Sequence, residues 1–368
     1  MEKEQKPWHD AVGPKQKKPR HTWAWIYGTL LTGYTAFTLL QVFVIPHDTV
    51  KMDTTAMASV YRTGDLTEIS YGDQSSAEGS SDDADTGILS SLQGSNETDT
   101  GNISSPEEST DAASGSEMEP EIIRDSDRII YRDGNMTITL TESYQYDTMI
   151  YVADIQLNSV ALLKSGLAED CFGRNVTEAT SAIASRVGAI LAVNGDFYGF
   201  RDTGYVIRNG ILYRSTKKSN DAEDLVLWPD GTMEVIREGD VTAEELLEQG
   251  ALQVYSFGPG LVQDGEITVD SSSEVGQAKT SNPRTAIGMI SPLHYVMVVS
   301  DGRTSASAGL SLLQLAGIMK ELGCREAYNL DGGGSTTMYF NGEVVNNPTS
   351  GGKRTKERSV SDIVYIGY

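Results

Sequence analysis

Aspartate closes three apolar runs in the second half of this chain, each time beside glycine. The stretches are Asn194-Gly195-Asp196, Ser300-Asp301-Gly302-Arg303 and Asn329-Leu330-Asp331-Gly332-Gly333-Gly334-Ser335. Paired carboxylates stabilise or attack an electrophilic carbon and move protons, as in glycosyl transfer to water. Three consecutive glycines cost folding entropy and bring bare backbone close to a neighbour. A bound ligand and a plain glycine turn both account for them. Arginines punctuate the same region: Arg284 after Asn282-Pro283, Arg303 after Gly302, Arg358 after Glu357. The planar guanidinium fork matches phosphate oxygens, although a surface charge is the usual fate of Arg. Carboxylates, arginines and glycine amides together suit a sugar attached through phosphate. Phosphate is a weakly basic leaving group, so it needs little help from a general acid, and arginines and amides stabilise its charge directly.

Other chemistries lack their residues. His294 is the one histidine after residue 47, and it follows Ser291-Pro292-Leu293 in a turn. No G-x-S-x-G elbow accompanies it, so a Ser-His-Asp triad is not indicated. No Lys follows the glycines, which removes a P-loop. The acidic loops lack the alternating ligands of an EF-hand. Cys171 and Cys324 are the two cysteines and form no C-x-x-C pair, so a thiolate zinc site is not indicated. They form either one disulfide or two buried thiols. A net charge of −23 argues against nucleic acid, since phosphate-backbone binding needs Lys and Arg. Two rival readings use the same residues. Carboxylates also suit Mg²⁺ or Ca²⁺ and a metal-assisted phosphodiesterase. A non-catalytic polysaccharide-binding module is the other.

The elements that must position these groups lie between residues 128 and 368. Alternation over 129–140 and 149–157 predicts strands, with a turn at Asp133-Gly134. Helical spacing covers 177–187, and a strand follows over 189–193. A hairpin is expected from 225–228 and 233–236, then a short acidic helix over 243–249. Strands over 285–290 and 295–299 precede a helix over 312–322. Ser311 and Gln314 have capping-box spacing at its start, and Gly323 stops it. Asn341-Gly342 joins 336–340 to 343–346. The run 295–299, 312–322, 326–330 reads as a strand–helix–strand crossover. Its two strands are expected parallel, ending at one sheet edge, where open α/β sheets place ligands. The expected fold is α+β: a mixed β-sheet with packed helices.

Ahead of this domain the composition changes twice. Residues 1–22 are basic on balance. Residues 23–45 are free of charge and long enough for a bilayer, which takes roughly 20 residues. Residues 46–127 are an acidic Ser/Asp/Gly-rich linker: a little structure is expected over 46–63, and the stretch from 64 to about 120 is too poor in large apolar side chains to offset its ordering entropy. The expectation is a cytoplasmic tail, one transmembrane signal anchor, a disordered tether and an extracytoplasmic domain, oriented by the positive-inside rule.

The motifs resemble the phosphodiester glycosidase family. Asn194-Gly195-Asp196-Phe197-Tyr198, Asn282-Pro283-Arg284-Thr285-Ala286-Ile287-Gly288, Asp301-Gly302-Arg303, Asn329-Leu330-Asp331-Gly332-Gly333-Gly334-Ser335 and Glu357-Arg358-Ser359-Val360 stand in that family's order. The resemblance covers residues 128–368. It implies an α+β fold and hydrolysis of a sugar C1–O–phosphate bond, on a glycosyl phosphate or a cell-surface polysaccharide. Bacterial members are often associated with exopolysaccharide. Carried over by motif, Asn194, Asp196, Arg284, Asp301, Arg303, Asp331, Gly332, Gly333, Ser335 and Arg358 are the candidate site. Asp331 and Asp301 are expected as the acid/base or nucleophile pair, with Asp196 third. Arg303 and Arg358, helped by Arg284, are expected on phosphate, and Asn194 and Ser335 on sugar or phosphate oxygens.

Overall fold

The computed structural model of this chain describes residues 22–43, 47–51, 119–273 and 281–368. Period-two alternation over 128–157 becomes the strands Arg128–Arg132, Met136–Gln145 and Thr148–Leu157. Asp133 makes the first turn by accepting the Asn135 and Met136 amides at 2.8 and 2.9 Å. The hairpin Arg284–Ser291/His294–Ser300 adds two longer strands. On the second, Tyr295, Met297 and Val299 face one core, and Val296 and Val298 face another. Both faces are buried, which is why this stretch reads as a continuous apolar run.

Three antiparallel sheets meet at one apolar core. The largest has nine strands, in the order Glu266–Ile267, Gly260–Gln263, Glu326–Asn329, Arg284–Ser291, His294–Ser300, Thr148–Leu157, Met136–Gln145, Arg128–Arg132, Glu121–Arg124. A five-stranded sheet carries Leu163–Leu167, Leu191–Asn194, Met338–Phe340, Glu343–Val344 and Asp362–Ile366. A second five-stranded sheet carries Val206–Arg208, Ile211–Arg214, Glu223–Leu227, Met233–Arg237 and Gln253–Tyr255. Ile138, Ile155, Met297 and Tyr328 of the first, Leu191, Val193 and Val364 of the second, and Leu225, Leu227 and Tyr255 of the third share that core. Each sheet is backed by one helix: Leu312–Glu321, Thr180–Arg186 and Ala243–Glu248 respectively. The expected capping box at Ser311 and Gln314 forms, with bonds of 2.9 and 3.2 Å.

The α+β class stands, but the sheet is not mixed. Every ladder between described strands is antiparallel. His294–Ser300 and Glu326–Asn329 are not neighbours. Arg284–Ser291 lies between them and is antiparallel to both. The two flanking strands therefore still point the same way, and their C-terminal ends share one edge. The strand–helix–strand crossover therefore forms, with Arg284–Ser291 inserted between its two strands.

Glu121–Arg124 pairs with Arg128–Arg132, and His47–Lys51 pairs with Cys171–Arg174, so the described strands of the 46–127 linker flank the 64–120 stretch on either side. Residues 52–118 lie outside the described residues, as does the 1–21 tail. A helix forms over Thr22–Phe43, with exposed side chains over 25–40. Among the described residues no helix is long and apolar enough to cross a membrane. The crossing expected over 23–45 gains no support from it. Cys171 and Cys324 are free thiols, Cys324 buried.

Candidate active site

Asp331 follows the Glu326–Asn329 strand at the edge where His294–Ser300 also ends. Its backbone is fixed from two sides. Its amide donates to the Gly195 carbonyl at 3.2 Å, and its carbonyl accepts the Asn194 side-chain amide at 2.6 Å. Asn194 is fully buried, and its oxygen accepts the Thr285 hydroxyl at 2.7 Å and the Thr337 amide at 3.3 Å. It pins the Asp331 turn and does not line the cleft beside it, so its expected contact with sugar oxygens is replaced by a positioning role.

The Asp331 carboxylate is held on both oxygens. One accepts the Gly332 amide at 2.9 Å. The other accepts the Ser335 hydroxyl at 2.6 Å and an Arg358 N–H at 3.0 Å. Arg358 also donates to Ser335 Oγ, from Nε at 2.9 Å and from Nη2 at 2.5 Å. Burial pushes the Asp331 pKa up, while Arg358, Ser335 and Gly332 pull it back; burial prevails and the pKa is raised.

Protein neighbours explain much of the glycine run. A side chain on Gly332 would lie 2.8 Å from the Pro283 carbonyl oxygen, and one on Gly333 2.7 Å from Arg303 Nη2. Gly333 also adopts φ +63°, where glycine is strain-free. The Gly333 amide donates to the Pro283 carbonyl at 2.8 Å. The Gly332 and Gly333 amides are therefore engaged within the protein and are not the open phosphate cradle expected of them.

A cleft of about 700 Å³ opens over this turn. Asp331, Gly332, Gly333, Arg358, Arg303, Arg284, Asn282 and Pro283 line it, together with Leu330, Phe197, Arg201 and Phe257. Arg303 donates to Asn282 Oδ1 at 3.1 and 3.0 Å and to the Ser350 carbonyl at 3.0 Å. Burial lowers the Arg303 pKa and the like charge of Arg358 adds to this, with Asp331 opposing. Arg284 is buried and donates from Nε to the Leu310 carbonyl at 3.0 Å.

The other two aspartates turn away from the cleft. Asp301 accepts the Asn347 amide at 2.8 Å and the Asn347 side chain at 2.9 Å, with Tyr151 OH at 3.4 Å. It ties the 346–347 loop to its strand and is absent from the cleft lining, so the Asp331/Asp301 pair is not assembled. Asp196 is buried and accepts the amides of Phe197 and Ser256 at 2.5 and 2.9 Å. Its own amide donates to Asp362 Oδ1 at 2.8 Å. Arg208, fully buried, bonds Asp362 at 2.8 Å and stands 3.6 Å from Asp196. One guanidinium cannot neutralise both acids. Burial works to raise the Asp196 pKa, but Arg208, Arg201 and the amides outweigh it and lower it. Burial pushes Asp362 up to about 6 against Arg208.

Arg208→Met is expected to lower unfolding free energy by about 3–5 kcal/mol, because it strands two buried carboxyls. Urea unfolding at pH 7 checks this; a loss below about 1 kcal/mol would contradict the assignment.

These placements also test a divalent cation. Asp331 is engaged by Arg358, Asp196 by Arg208 and two amides, and Asp301 by Asn347. No group of three His, Cys, Asp or Glu side chains among the described residues is gathered to hold a metal ion. The donor set does not fit Mg²⁺ or Ca²⁺. His294 opens the strand that ends at Ser300, roughly 20 Å away at 3.3 Å per residue, and bonds Asp154 at 3.0 Å.

Sequence reasoning missed Arg201, Phe257, Asn282, Arg208 and Asp362. Phe197 sits inside a quoted motif and Asn282 beside Arg284, so adjacency was the available signal. Arg201 and Phe257 reach the cleft through tertiary packing. Arg201 stacks 5.5 Å from the Phe197 ring centre and 4.9 Å from that of Phe257.

Residues 187–367 match the family model described as phosphodiester glycosidase. A 203-residue stretch is 32% identical to the SPbeta prophage-derived uncharacterized protein YomE of Bacillus subtilis (strain 168), covering 54% of this chain and 31% of that protein. A 216-residue stretch is 28% identical to the N-acetylglucosamine-1-phosphodiester alpha-N-acetylglucosaminidase of Mus musculus, covering 54% of this chain and 40% of that enzyme. The chain thus spans less than half the length of either relative. The zebrafish N-acetylglucosamine-1-phosphodiester alpha-N-acetylglucosaminidase catalytic domain, auto-inhibited by its pro-peptide, has a similar fold. Its TM-score is 0.50 at 20% identity, over 63% of this chain and 83% of that one.

Proposed function

Since residues 187–367 are a phosphodiester glycosidase-family domain, we propose that this chain hydrolyses the bond between a sugar's anomeric carbon and a phosphate oxygen. The observation that carries the reading is the Asp331–Ser335–Arg358 cluster, opening on a cleft that Arg303 and Arg284 also line. The C1–O bond breaks, and its electron pair leaves on the phosphate oxygen. Arg303 and Arg358 stabilise the charge arriving there. Asp331 stabilises the positive charge developing at C1. Water adds to C1 and its proton passes to the departing phosphate or to solvent, yielding free sugar and a phosphate monoester. Among the described residues lining the cleft, Asp331 is the only carboxylate. One carboxylate suffices when the leaving group needs no protonation. Asp301 and Asp196 act as positioning residues.

The relatives' names make N-acetylglucosamine the first sugar to try. Incubation with a synthetic N-acetylglucosamine-1-phosphodiester should yield reducing sugar and a phosphate monoester. Release of sugar phosphate and an alcohol would instead mean phosphodiester cleavage and would refute the reading.

The location is part of this proposal: a cell-surface or exopolysaccharide role, with the Thr22–Phe43 helix as a single crossing and the domain outside. The helix contains no charged residue. The hydroxyls of Thr29, Thr32, Thr35 and Thr38 each donate to the carbonyl four residues earlier, at 2.8–2.9 Å. Such back-bonding hides polar groups from lipid. The full chain should stay in the membrane pellet after alkaline carbonate extraction; its recovery in the supernatant would overturn this location.

A further inference from the structure

We propose that the substrate is lipid-linked: a glycosyl phosphodiester whose second ester oxygen carries a membrane-embedded chain, so that the cleft works at the bilayer surface. This rests on the glycosidase and location readings above and extends them to the substrate class.

Chain connectivity is the first ground. The Thr22–Phe43 helix is about 33 Å long at 1.5 Å per residue, close to the thickness of a hydrocarbon core. Residues 44–46 separate it from the His47–Lys51 strand, an interval that spans at most about 14 Å. That strand is fastened to the domain: His47 pairs with Arg174, Val50 with Phe172 and Lys51 with Cys171. The 44–46 interval therefore sets how far the domain stands from the end of the helix. Residues 52–118 run between two strands that are both paired with the domain, so their length adds nothing to that reach.

The partner strand leads to the cleft. Arg174 Nη1 donates to the Asp202 carboxylate at 2.6 and 2.7 Å, beside Arg201. The Asn175 amide donates to the Gly199 carbonyl at 3.0 Å, and the Phe172 ring stacks 5.0 Å from that of Tyr198. The 197–201 loop, whose Phe197 and Arg201 line the cleft, is thus built onto the strand that receives His47–Lys51.

The unlike sides of the cleft are the second ground. The Asp331 turn brings the carboxylate and the guanidinium groups of Arg303 and Arg358. On the side joined to the membrane segment, Phe197 and Phe257 line the cleft, and exposed Phe200 stacks 4.7 Å from Phe197. Aromatic rings settle readily at a membrane–water interface. A sugar phosphate on the Asp331 side leaves its ester chain to the aromatic side. The bond balance is unchanged: C1–O breaks, its electron pair leaves on the phosphate oxygen, and water supplies the hydroxyl at C1. The products are free sugar and a lipid phosphate monoester.

The test uses the full chain reconstituted in phosphatidylcholine vesicles. It compares two N-acetylglucosamine-1-phosphodiesters, one with a long-chain alkyl aglycone embedded in the same vesicles and one with a methyl aglycone in solution. At equal bulk concentration, wild type should turn over the long-chain compound about tenfold faster or more. A Gly/Ser spacer of about 20 residues between Phe43 and His47 adds about 25 Å of reach and should cut this preference to about threefold or less, with methyl turnover unchanged. The same spacer placed within 64–120 should change neither rate. Phe200→Ser should lower the preference about threefold. Equal turnover of the two compounds by wild type would overturn the inference while leaving the glycosidase reading intact. Equal effects of the two spacers would overturn the role of the His47–Lys51 strand. Release of the chain from the vesicles by carbonate would bring down the location and this inference with it. If neither compound is cleaved, the glycosidase reading falls, and dissociation constants for both compounds on the same vesicles decide the lipid preference alone.

Discussion

Asp331→Asn should abolish most sugar release, lowering kcat by about 10³-fold or more, by analogy with the loss of a single charged catalytic group. The replacement keeps the size and planarity of the side chain. It can still accept the Gly332 amide, now at 2.9 Å, so the turn should persist. What disappears is the negative charge. An oxocarbenium-like centre at C1 then has no counter-charge among the lining side chains, because Asp301 and Asp196 are committed elsewhere. The effect should fall on kcat more than on KM, since the charge at C1 develops only as the bond breaks. Thermal unfolding of the variant should stay within a few degrees of wild type. Turnover within about tenfold of wild type would remove Asp331 from the chemistry.

Arg358→Gln should lower kcat/KM by about 10²-fold and also move the pH profile. The sign follows from the forces on Asp331. Burial raises its pKa, and Arg358 is the largest group pulling it down. Without Arg358 burial acts less opposed, the folded-state pKa rises further, and the carboxylate takes up its proton at a higher pH. Activity that needs the ionised form should then be lost at a higher pH on the acidic side. The pH dependence of kcat/KM with a synthetic diester reads both effects. An acidic limb at the wild-type position would show that Arg358 does not set the Asp331 charge state. Arg358→Lys should fall between the two, because an ammonium cannot reproduce the paired Nε and Nη2 contacts to Ser335.

Much of this was legible because local rules and tertiary structure agreed. The capping box at Ser311, the turn at Asn341-Gly342 and the apolar runs ending in Asp301 and Asp331 all behave as their spacing predicts. What failed was pairing. Nothing in 295–330 reveals that Arg284–Ser291 inserts between the flanking strands, because that hairpin is specified by residues outside the stretch. The strands Val206–Arg208, Gln253–Tyr255 and Gly260–Gln263 are short and gain their stability from neighbours, so composition marks them weakly. The aspartates were overcounted for a similar reason. A carboxylate after a strand looks the same in sequence whether it faces a cleft, as Asp331 does, or an internal arginine, as Asp196 does. Arg208 and Asp362 are separated by 154 residues, and only the packing of two sheets joins them.

The two sides of the cleft hang from different parts of the scaffold. The turn bearing Asp331 and the chain around Arg284 belong to the nine-stranded sheet, whereas Phe197, Arg201 and Phe257 sit on loops of its partners. Those loops should tolerate replacement by segments of other composition, provided the acid beneath them keeps its amide partners. Diversification of what is accepted can then proceed without rebuilding how the bond is broken, and a library confined to 197–201 and 256–258 is the place to look for new selectivities.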